Sequence, residues 1–424
     1  MSIKKIDKVV NPFFDLSFLQ KYSKGVRIEC TTPVIKECFK RELHEGLSTN
    51  YMSIIETDNE LKLYYRTSNV IKSLEKEDQI TCLAMSSKDN IYFDKKPNLN
   101  IIKNNIILKN YDSHNFHAFL DPKKINGTLY KALAGYTFSD PPGIYLYSST
   151  DGKNWNPDDK KLICVKKDTL VSPMKSWCDS HNIIMYDENR DLYWLYLRYN
   201  IRKGKRWVQY SSSRDLENWE SFKRLSVKCK DIKFQIYSPI FMFYPETNYM
   251  IGITGNMDAH LNRKSKDLNL LFSKDGINFD IIKKKWLDDK IVKPIEAMHG
   301  IHIKDDYIYL FVYETNEGGK SLRFPTHRIC YLYSNEENAS ITTRNFKINK
   351  GIIELNYEIM QDGFLDLNIF DVSNNSKILN IKENEVKDQL RQEIQLPNKY
   401  SNKNLEIYMI LNFNRCKLFC ISYY

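Results

Sequence analysis

Short polar segments that combine histidine, carboxylate and tyrosine side chains recur along this chain at intervals of roughly 60 residues. Carboxyl and imidazole groups are the side chains that most often donate and accept protons in enzymes. These segments could therefore supply acid–base chemistry, such as that needed on a sugar, if the fold brings them to one place. The alternative is that they only satisfy backbone groups. The candidates are His44, Glu45, Asp112, His114, Asp179, His181, Tyr237 and His299.

Positively charged side chains are concentrated near the same segments. Arg66 and Arg198 end two equivalent apolar stretches, Tyr-Tyr-Arg and Tyr-Leu-Arg, and Arg323 lies in a third basic stretch that follows Glu314. An arginine fork binds a carboxylate or phosphate through two hydrogen bonds, and a concave positive site attracts anions. We therefore expect these arginines to hold the charge of an anionic ligand, with Glu314 as a further substrate-binding residue. The alternative is that they belong to a solvated loop surface.

A second repeated phrase, of the form Ser-x-Asp, indicates the architecture that positions these residues. The acidic residues of its five copies are Asp89, Asp151, Asp215, Asp275 and Glu336, and the fifth copy is weak. An Asp side chain in such a turn can accept hydrogen bonds from N–H groups two or three residues on. We therefore interpret the acidic residues as structural, and not as a metal or catalytic cluster. A fixed period of alternating apolar strands predicts an all-β propeller.

The period predicts five blades of four strands, so we expect a five-bladed β-propeller over residues 1–345, with a lead-in of 25 residues. An early strand at Val26–Thr31 is expected to close the ring. The first strand of each blade should line the central channel, and the segments just before it should surround one end of the channel, here called the mouth. These first strands are expected at Tyr51–Glu56, Asn115–Leu120, Asn182–Tyr186, Pro239–Tyr244 and Gly300–Ile303.

The period stops after residue 345, and short apolar strands continue to the end of the chain. They predict a small C-terminal β-sandwich over residues 346–424. Within it, the charged segment Lys382–Gln392 could form a short helix.

Composition narrows the classes of function. The 424 residues carry a formal net charge of +10, which is modest for this length, and basic patches interleaved with aromatic residues are not evident, so nucleic acid is not expected as a partner. No stretch approaches 18 apolar residues and the first residues have no apolar signal region, so we expect no membrane span and a cytoplasmic location. The nine scattered cysteines are interpreted as free thiols. No His-x-x-x-His pair favours a metal, and no cofactor is expected.

Four segments resemble the five-bladed glycoside hydrolase-like superfamily, which includes families 43 and 32, and bacterial glycosyl-hydrolase-like propellers that have a C-terminal sandwich. They are His114–Asp121, Tyr130–Ala134, Ser149–Trp155 and Asp179–Asn182. The resemblance implies three carboxylates at the starts of the inner strands of the first three blades.

Carried over by position, Glu45 would be the base or nucleophile, Asp179 the proton donor, and Asp112 or His114 the modulator. The order Glu, Asp, Asp differs from the usual Asp, Asp, Glu, and the Trp-x-Asn-Asp-Pro and Arg-Asp-Pro segments of the sucrose-cleaving members are absent from the sequence.

Three functions remain open at this point. The first is a glycosidase that acts on an anionic or branched polysaccharide through an oxocarbenium-like transition state. The second is a non-catalytic glycan-binding propeller in surface-polysaccharide metabolism. The third is a sialidase-like enzyme with an arginine cluster and Tyr237 as nucleophile, against which five blades instead of six would argue.

Overall fold

The computed structural model describes residues 8–40, 50–57, 60–68, 79–88, 91–93, 105–170, 177–201, 205–231, 233–258, 263–288, 290–292, 294–314, 318–400 and 404–424. Regular structure in these ranges is almost entirely β-strand, which confirms the all-β class. Helical structure there is limited to short 3-10 turns at Tyr111–Asn115, Ile125–Gly127, Pro157–Asp159, Lys166–Asp168 and Asn398–Tyr400. No described helix has the length and apolar character needed to cross a membrane.

The strands are rich in aromatic and β-branched residues, which favour the extended conformation. In chain order they are β1 (Val9–Pro12), β2 (Leu19–Tyr22), β3 (Arg27–Cys30), β4 (Val34–Phe39), β5 (Asn50–Glu56), β6 (Glu60–Ser68), β7 (Gln79–Ser87), β8 (Ile106–Lys109), β9 (His117–Leu120), β10 (Tyr130–Ala134), β11 (Ile144–Ser149), β12 (Lys161–Cys164), β13 (Ile183–Asp187), β14 (Leu192–Asn200), β15 (Arg206–Ser213), β16 (Lys223–Arg224), β17 (Ser226–Lys228), β18 (Tyr237–Phe243), β19 (Met250–Asp258), β20 (Arg263–Ser273), β21 (Asn278–Leu287), β22 (Pro294–Lys304), β23 (Tyr307–Glu314), β24 (Gly318–Pro325), β25 (Cys330–Tyr333), β26 (Ala339–Thr343), β27 (Phe346–Ile348), β28 (Ile352–Asp371), β29 (Lys377–Glu383), β30 (Lys387–Gln395) and β31 (Leu405–Tyr423).

Twenty of the strands from β4 to β24 pair antiparallel in groups of four, and β17 pairs parallel with β21 at the outer edge of one group. Group I is β5 to β8, group II is β9 to β12, group III is β13 to β16, group IV is β18 to β21, and group V is β22, β23, β24 and β4. The first strands contact one another in the closed order β5, β9, β13, β18, β22 and again β5. This arrangement is that of a β-propeller, and it brings the starts of five distant strands to one central axis.

The strand that completes group V is β4, which pairs antiparallel with β24. The prediction that Val26–Thr31 closes the ring was therefore wrong, because residues 27–30 form β3 and pair with β25 outside the ring. The glycines of β24 explain the choice of partner. Gly318 has a φ of +113°, and a Cβ atom there would lie 2.0 Å from the Phe39 carbonyl oxygen, so only glycine permits this close approach.

The remaining strands form one ten-stranded sheet in which β28 and β31 are the long central members. These two strands pair along their length, with a register shift between Ile359 and Phe364 that divides the sheet into two halves. The helix expected at Lys382–Gln392 was wrong, because this segment pairs with β28 as β29 and β30. Its charged residues alternate with partly buried ones, as the two faces of a strand require.

Three of the Ser-x-Asp turns, at Asp151, Asp215 and Asp275, have the structural role that the sequence predicts, whereas the weak fifth copy shows only the N–H of Glu336 donated to Ser334 Oγ at 3.1 Å. Asp151 Oδ1 accepts the N–H groups of Lys153 and Asn154, each at 2.8 Å, and Ser149 Oγ accepts that of Gly152 at 2.9 Å. Asp215 and Asp275 make the same contacts in their own turns, whereas Asp89 lies outside the described residues.

Buried aromatic side chains pack neighbouring groups against each other. Between groups I and II, the rings of Tyr64 and Trp155 meet edge to face at 6.1 Å. Between groups III and IV, Tyr196 packs on Phe241 at 4.8 Å. Such pairs combine a large buried area with a preferred geometry, so they fix the angle between neighbouring sheets and hence the positions of the inner strands.

Candidate active site

Four polar side chains from three neighbouring groups meet at the mouth. Arg66 lies near the end of β6, His114 lies in the 3-10 turn Tyr111–Asn115 before β9, Asp179 precedes β13 and Arg198 lies on β14. His114 Nε2 is 2.8 Å from Asp179 Oδ1, and Arg66 Nη1 is 3.0 Å from His114 Nδ1. A neutral His114 that donates from Nε2 and accepts at Nδ1 satisfies both contacts. The sequence-based choice of these four residues therefore selects side chains that lie together.

Arg198 holds Asp179 from the other side. Its Nη1 lies 3.5 Å from Asp179 Oδ2 and also donates a hydrogen bond to the main-chain oxygen of Asp179. The Arg66 and Arg198 side chains are buried, whereas 34% of the Asp179 side chain is exposed. The carboxylate is thus the part of the cluster that a ligand from solvent can reach.

The cluster fixes the charge of Asp179. Burial disfavours its ionised form, but the hydrogen bond from His114 and the charges of Arg198 and Arg66 outweigh this effect and lower the pKa of Asp179 to about 2. Burial and the neighbouring Arg66 lower the pKa of His114 to about 4. At neutral pH the pair is therefore a carboxylate and a neutral imidazole. An ionised Asp179 suits a base, a nucleophile or a stabiliser of positive charge better than the proton donor predicted from the sequence.

Backbone conformation at the mouth is unusual in three places. Tyr51, Cys178 and Ser238 have φ angles of 53°, 55° and 41°, in the left-handed region that residues other than glycine rarely adopt. Each lies at or just before an inner strand. The Cys178 carbonyl oxygen accepts hydrogen bonds from the side-chain amides of Asn115 and Asn182, at 2.5 and 2.9 Å. Strained conformations that are held in this way concentrate at functional sites, and this one orients Asp179.

Aromatic rings surround the cluster. Tyr136 stacks on His114 with ring centroids 4.3 Å apart and an angle of 7° between the planes. The Arg66 guanidinium lies over the Tyr51 ring at 5.2 Å, and Tyr51 also contacts the ring of His181 at 5.8 Å. Phe138 packs edge-on against Tyr136, and half of its surface is exposed. Neither Tyr51, Tyr136 nor Phe138 was predicted, because isolated aromatic residues are common in strands and carry no local signal of a site.

Groups IV and V contribute Tyr237 and Glu296. Burial, and then the nearby charges of Tyr237, Asp179 and Glu296, raise the pKa of Tyr51 well above its usual value, so all of these groups lie close to Tyr51. Glu296 is buried and accepts a hydrogen bond from Ser238 Oγ at 3.2 Å. The sequence marked Tyr237 as a site residue, whereas Glu296 was not among the predicted site residues.

Asp112 is buried and held by other partners. Its Oδ2 accepts hydrogen bonds from the Tyr147 hydroxyl at 2.5 Å and from Lys160 Nζ at 2.9 Å. It is 1% exposed, so a substrate cannot reach its carboxylate directly. Its contacts instead anchor the turn that carries His114, and they fit a modulating role better than a direct catalytic one.

Three buried histidines form a column between the inner strands. His117 Nδ1 lies 3.0 Å from His181 Nε2, and the His117 ring meets that of His299 edge to face at 4.5 Å. Burial lowers the pKa of His181 to about 3 and that of His299 to about 4, and it lowers the pKa of His117 strongly. The sequence marked His181 and His299 but missed His117, although it is the first residue of an inner strand. Within the described ranges no group of three potential ligands has the geometry of a metal site.

Two further candidates lie apart from the cluster. Glu314 is buried at the mouth end of β23, with its carboxylate 3.6 Å from Lys320 Nζ. The placement of Arg323 at the mouth was wrong. Its guanidinium lies over the ring of Tyr307 at 4.5 Å, and Tyr307 is at the opposite end of β23. The basic stretch was read as a loop, whereas Gly318–Pro325 is a strand that carries Arg323 away from the mouth.

The remaining predicted residues, His44 and Glu45, lie outside the described residues. The predicted pairing of Glu45 with Asp179 across a sugar-sized gap thus stays a prediction. Among the described carboxylates near the mouth, Asp179 is exposed in part, whereas Asp112, Glu296 and Glu314 are buried.

Comparison with known families gives one match. The model of the N-terminal domain of glycosyl hydrolases family 32 matches residues 46–169, which span groups I and II. No curated protein sequence matches the chain.

Comparison with solved structures finds β-rich glycosidases at low identity. An α-L-arabinofuranosidase from Podospora anserina, solved with cellotriose, is 9% identical with a TM-score of 0.45, and the match covers 69% of this chain and 96% of that one. A family 32 β-fructofuranosidase from Bombyx mori is 11% identical with a TM-score of 0.42, covering 96% and 94%. A family 43 arabinoxylan arabinofuranohydrolase from Bacillus subtilis is 9% identical with a TM-score of 0.43, covering 89% and 96%.

Proposed function

We propose that this protein is a glycosidase that acts on an oligosaccharide or polysaccharide at the mouth of a five-bladed β-propeller, with a C-terminal β-sandwich. The proposed domains are residues 1–345 and 346–424. The observation that carries the proposal is the partly exposed carboxylate of Asp179, held ionised by His114, Arg66 and Arg198 where groups I, II and III meet. The family 32 domain match over groups I and II supports the same class of reaction.

The proposed mechanism assigns Asp179 to the side of the sugar where positive charge develops. Cleavage of a glycosidic bond passes through an oxocarbenium-like transition state, and a fixed carboxylate beside the anomeric carbon stabilises it as a nucleophile or as an ion partner. Arg198 and His114 keep that carboxylate oriented. Because burial and the arginine neighbours are already in place, little reorganisation is needed as the charge develops.

A second carboxyl group must protonate the leaving oxygen. Glu45 was predicted to work opposite Asp179 and remains one candidate for this role. Glu296 is the described alternative, because its buried carboxyl group lies near Tyr51 together with Asp179. The two candidates can be separated by comparing Glu45→Gln with Glu296→Gln, using substrates whose leaving groups do or do not need protonation.

The proposed substrate carries a negative charge close to the bond that breaks. Arg198 pairs with Asp179 and Arg66 contacts His114, so two guanidinium groups accompany one carboxylate in the described cluster. A positive concave site accumulates anionic ligands. A carbohydrate with carboxylate or phosphate substituents is therefore expected to bind better than its neutral counterpart.

A panel of oligosaccharides and polysaccharides, matched with and without acidic substituents, tests the proposal by release of reducing ends. Asp179→Asn is expected to lower kcat by about 10²- to 10⁴-fold, as loss of one catalytic carboxylate typically does. Asp215→Asn is the matched control, because it removes a carboxylate from a turn that asparagine can also form, and it should keep full activity.

Two outcomes would contradict the assignment. Equal loss of activity in both variants would indicate a general folding defect. Binding of glycans without release of reducing ends, in both the parent protein and Asp179→Asn, would instead establish the alternative of a non-catalytic glycan-binding propeller. The sialidase-like alternative, with Tyr237 as nucleophile, is disfavoured because the described strands form five groups and not six.

A further inference from the structure

Cys30 and Cys330 face each other across two paired strands. They are direct partners in the antiparallel pair of β3 and β25. The N–H of Thr31 donates to the carbonyl oxygen of Ile329 at 2.9 Å, so the hydrogen bonds flank the cysteine pair and the two residues occupy a non-hydrogen-bonded position. At such positions the Cα atoms are about 4.5 Å apart, which lies within the range that a disulfide spans.

The two sulfur atoms are already in contact. Their distance is 3.7 Å, so a small change of side-chain torsion would bring them to bonding distance. No movement of the backbone is needed, because the register of β3 on β25 sets the Cα separation.

The two thiols differ in environment. The hydrogen bond with Cys330 and the positive charge of Lys283 lower the pKa of Cys30, although partial burial opposes this. Burial raises the pKa of Cys330 well above its usual value. Cys30 is partly exposed and Cys330 is buried. A more acidic, accessible thiol beside a buried one is the arrangement of a thiol that reacts first and a thiol that resolves the product.

We propose that Cys30 and Cys330 form a reversible disulfide when the protein meets hydrogen peroxide. The Cys30 thiolate attacks one peroxide oxygen, the O–O bond breaks, and hydroxide leaves with Cys30 as a sulfenic acid. The Cys330 sulfur then attacks the Cys30 sulfur, the S–O bond breaks, and water leaves as the Cys330 proton is transferred. In total, two thiols and one peroxide give one disulfide and two waters.

The position of this bond gives it a structural effect. Cys30 lies just before β4, the strand that closes group V, and Cys330 lies just after β24, the partner of β4. The two residues are 300 positions apart, so the disulfide would enclose all five groups in one covalent loop. A crosslink across a long loop restricts the unfolded chain strongly. The oxidised protein should therefore melt at a higher temperature than the reduced protein, by about 5 °C.

The first test is chemical. The native, reduced protein is treated with hydrogen peroxide and then denatured in the presence of an alkylating reagent, so that every free thiol is blocked before peptides are analysed by mass spectrometry. The expected result is a crosslinked peptide that joins Cys30 to Cys330 within one chain. The number of titratable thiols should fall from nine to seven. Treatment with dithiothreitol should restore all of them. Cys229→Ser removes the other partly exposed thiol and should leave the link intact.

The second test measures the thermal effect. The oxidised parent protein and Cys229→Ser should both melt higher than their reduced forms, whereas Cys30→Ser should show no such shift. Cys30 is the residue to replace because it is partly exposed, so the variant is expected to fold even if a Cys330 variant does not. The proposed disulfide would be overturned if peroxide oxidised Cys229 while Cys30 and Cys330 were each still alkylated as free thiols. It would also be overturned if the only disulfide found joined two separate chains. A disulfide without a rise in melting temperature would overturn its role in holding the ring closed.

Discussion

The orientation and the ionisation of the Asp179 carboxylate depend on neighbouring side chains more than on its own chain segment. Cys178 turns the backbone through a left-handed conformation, and Arg198 and His114 fix the two carboxylate oxygens. Removing any one of these supports should change the ionisation of Asp179 before it changes the fold. The residue scale is therefore where the electrostatic account of the site can be tested.

Arg198→Gln should raise the pKa of Asp179 from about 2 toward its ordinary value near 4, because one of its stabilising positive charges is lost. The acid limb of the pH–activity profile is expected to move to higher pH. Arg224→Gln is the matched control, because Arg224 lies exposed on group III over the ring of Trp207. An unchanged acid limb in Arg198→Gln would separate Asp179 from the catalytic step.

The buried histidines should make the fold sensitive to mild acid. His114, His181 and His299 have pKa values of about 4, 3 and 4, against roughly 6.5 in an unfolded chain. Between pH 6.5 and 4 the unfolded chain binds more protons, so stability falls as the pH falls. We expect the free energy of unfolding, measured in urea, to fall by roughly 1.4 kcal/mol per pH unit for each histidine. His181→Phe should reduce the slope of unfolding free energy against pH by the contribution of one histidine, about 1.4 kcal/mol per pH unit. An unchanged slope would contradict this account.

At the scale of elements, the repeated turn and the inner strands determine which residues meet. The period and the turn chemistry were readable from the sequence because each Ser-x-Asp copy makes its bonds within six residues. The inner strand predicted at Tyr51–Glu56 is found at Asn50–Glu56, and the one predicted at Asn182–Tyr186 is found at Ile183–Asp187. Pairing between strands that are distant in sequence was harder to predict. For this reason the closing strand was misassigned and Arg323 was placed at the wrong end of its strand.

The same limit applies to the site. Arg66, His114, Asp179 and Arg198 could be named because each occupies an equivalent position in its repeat. The stacking of Tyr136 on His114 and the contact of His117 with His181 depend on side-chain packing between groups. No local pattern in the sequence encodes such packing. The structure was therefore needed to find the low pKa of Asp179 and to assign it as an ionised carboxylate instead of a proton donor.

Asp151→Ala should destabilise the hairpin that joins β11 to the following segment. The side chain accepts two backbone N–H groups and one side-chain amide within its turn. The loss of a turn cap of this kind costs about 1–2 kcal/mol of folding free energy, measurable by urea unfolding. Catalytic activity per folded molecule should not change. Asp158→Ala, at an exposed position in the next turn, is the control and should be close to neutral.

At the scale of the whole molecule, the two proposed domains share strands. The ten-stranded sheet takes β1, β2 and β3 from the start of the chain and β25 and β26 from before residue 345. β31 pairs with β1, β25, β26 and β27 as well as with β28. The C-terminal segment is thus built into the same sheet as the N-terminal lead-in, and the chain ends are tied together.

Removal of residues 346–424 should therefore abolish folding of the rest of the chain. Loss of β28 and β31 would expose the apolar faces of β25 and β26 and leave β1 without its partner. We expect the truncated protein, expressed as residues 1–345, to be insoluble or to show a broad, low thermal transition. Coexpression of residues 346–424 as a separate chain should restore soluble protein. A truncated chain that melts cooperatively near the temperature of the parent would show that the propeller is autonomous.

The pairing of β4 with β24 also has a consequence for synthesis on the ribosome. β4 leaves the exit tunnel early, but its partner lies some 280 residues later. At roughly 5–20 residues per second, translation would leave this strand edge waiting for tens of seconds. During that time groups I to IV can form from consecutive segments while an unsatisfied edge remains at the N-terminus. Nascent chains stalled before residue 325 should accordingly recruit chaperones or aggregate more than chains released after it.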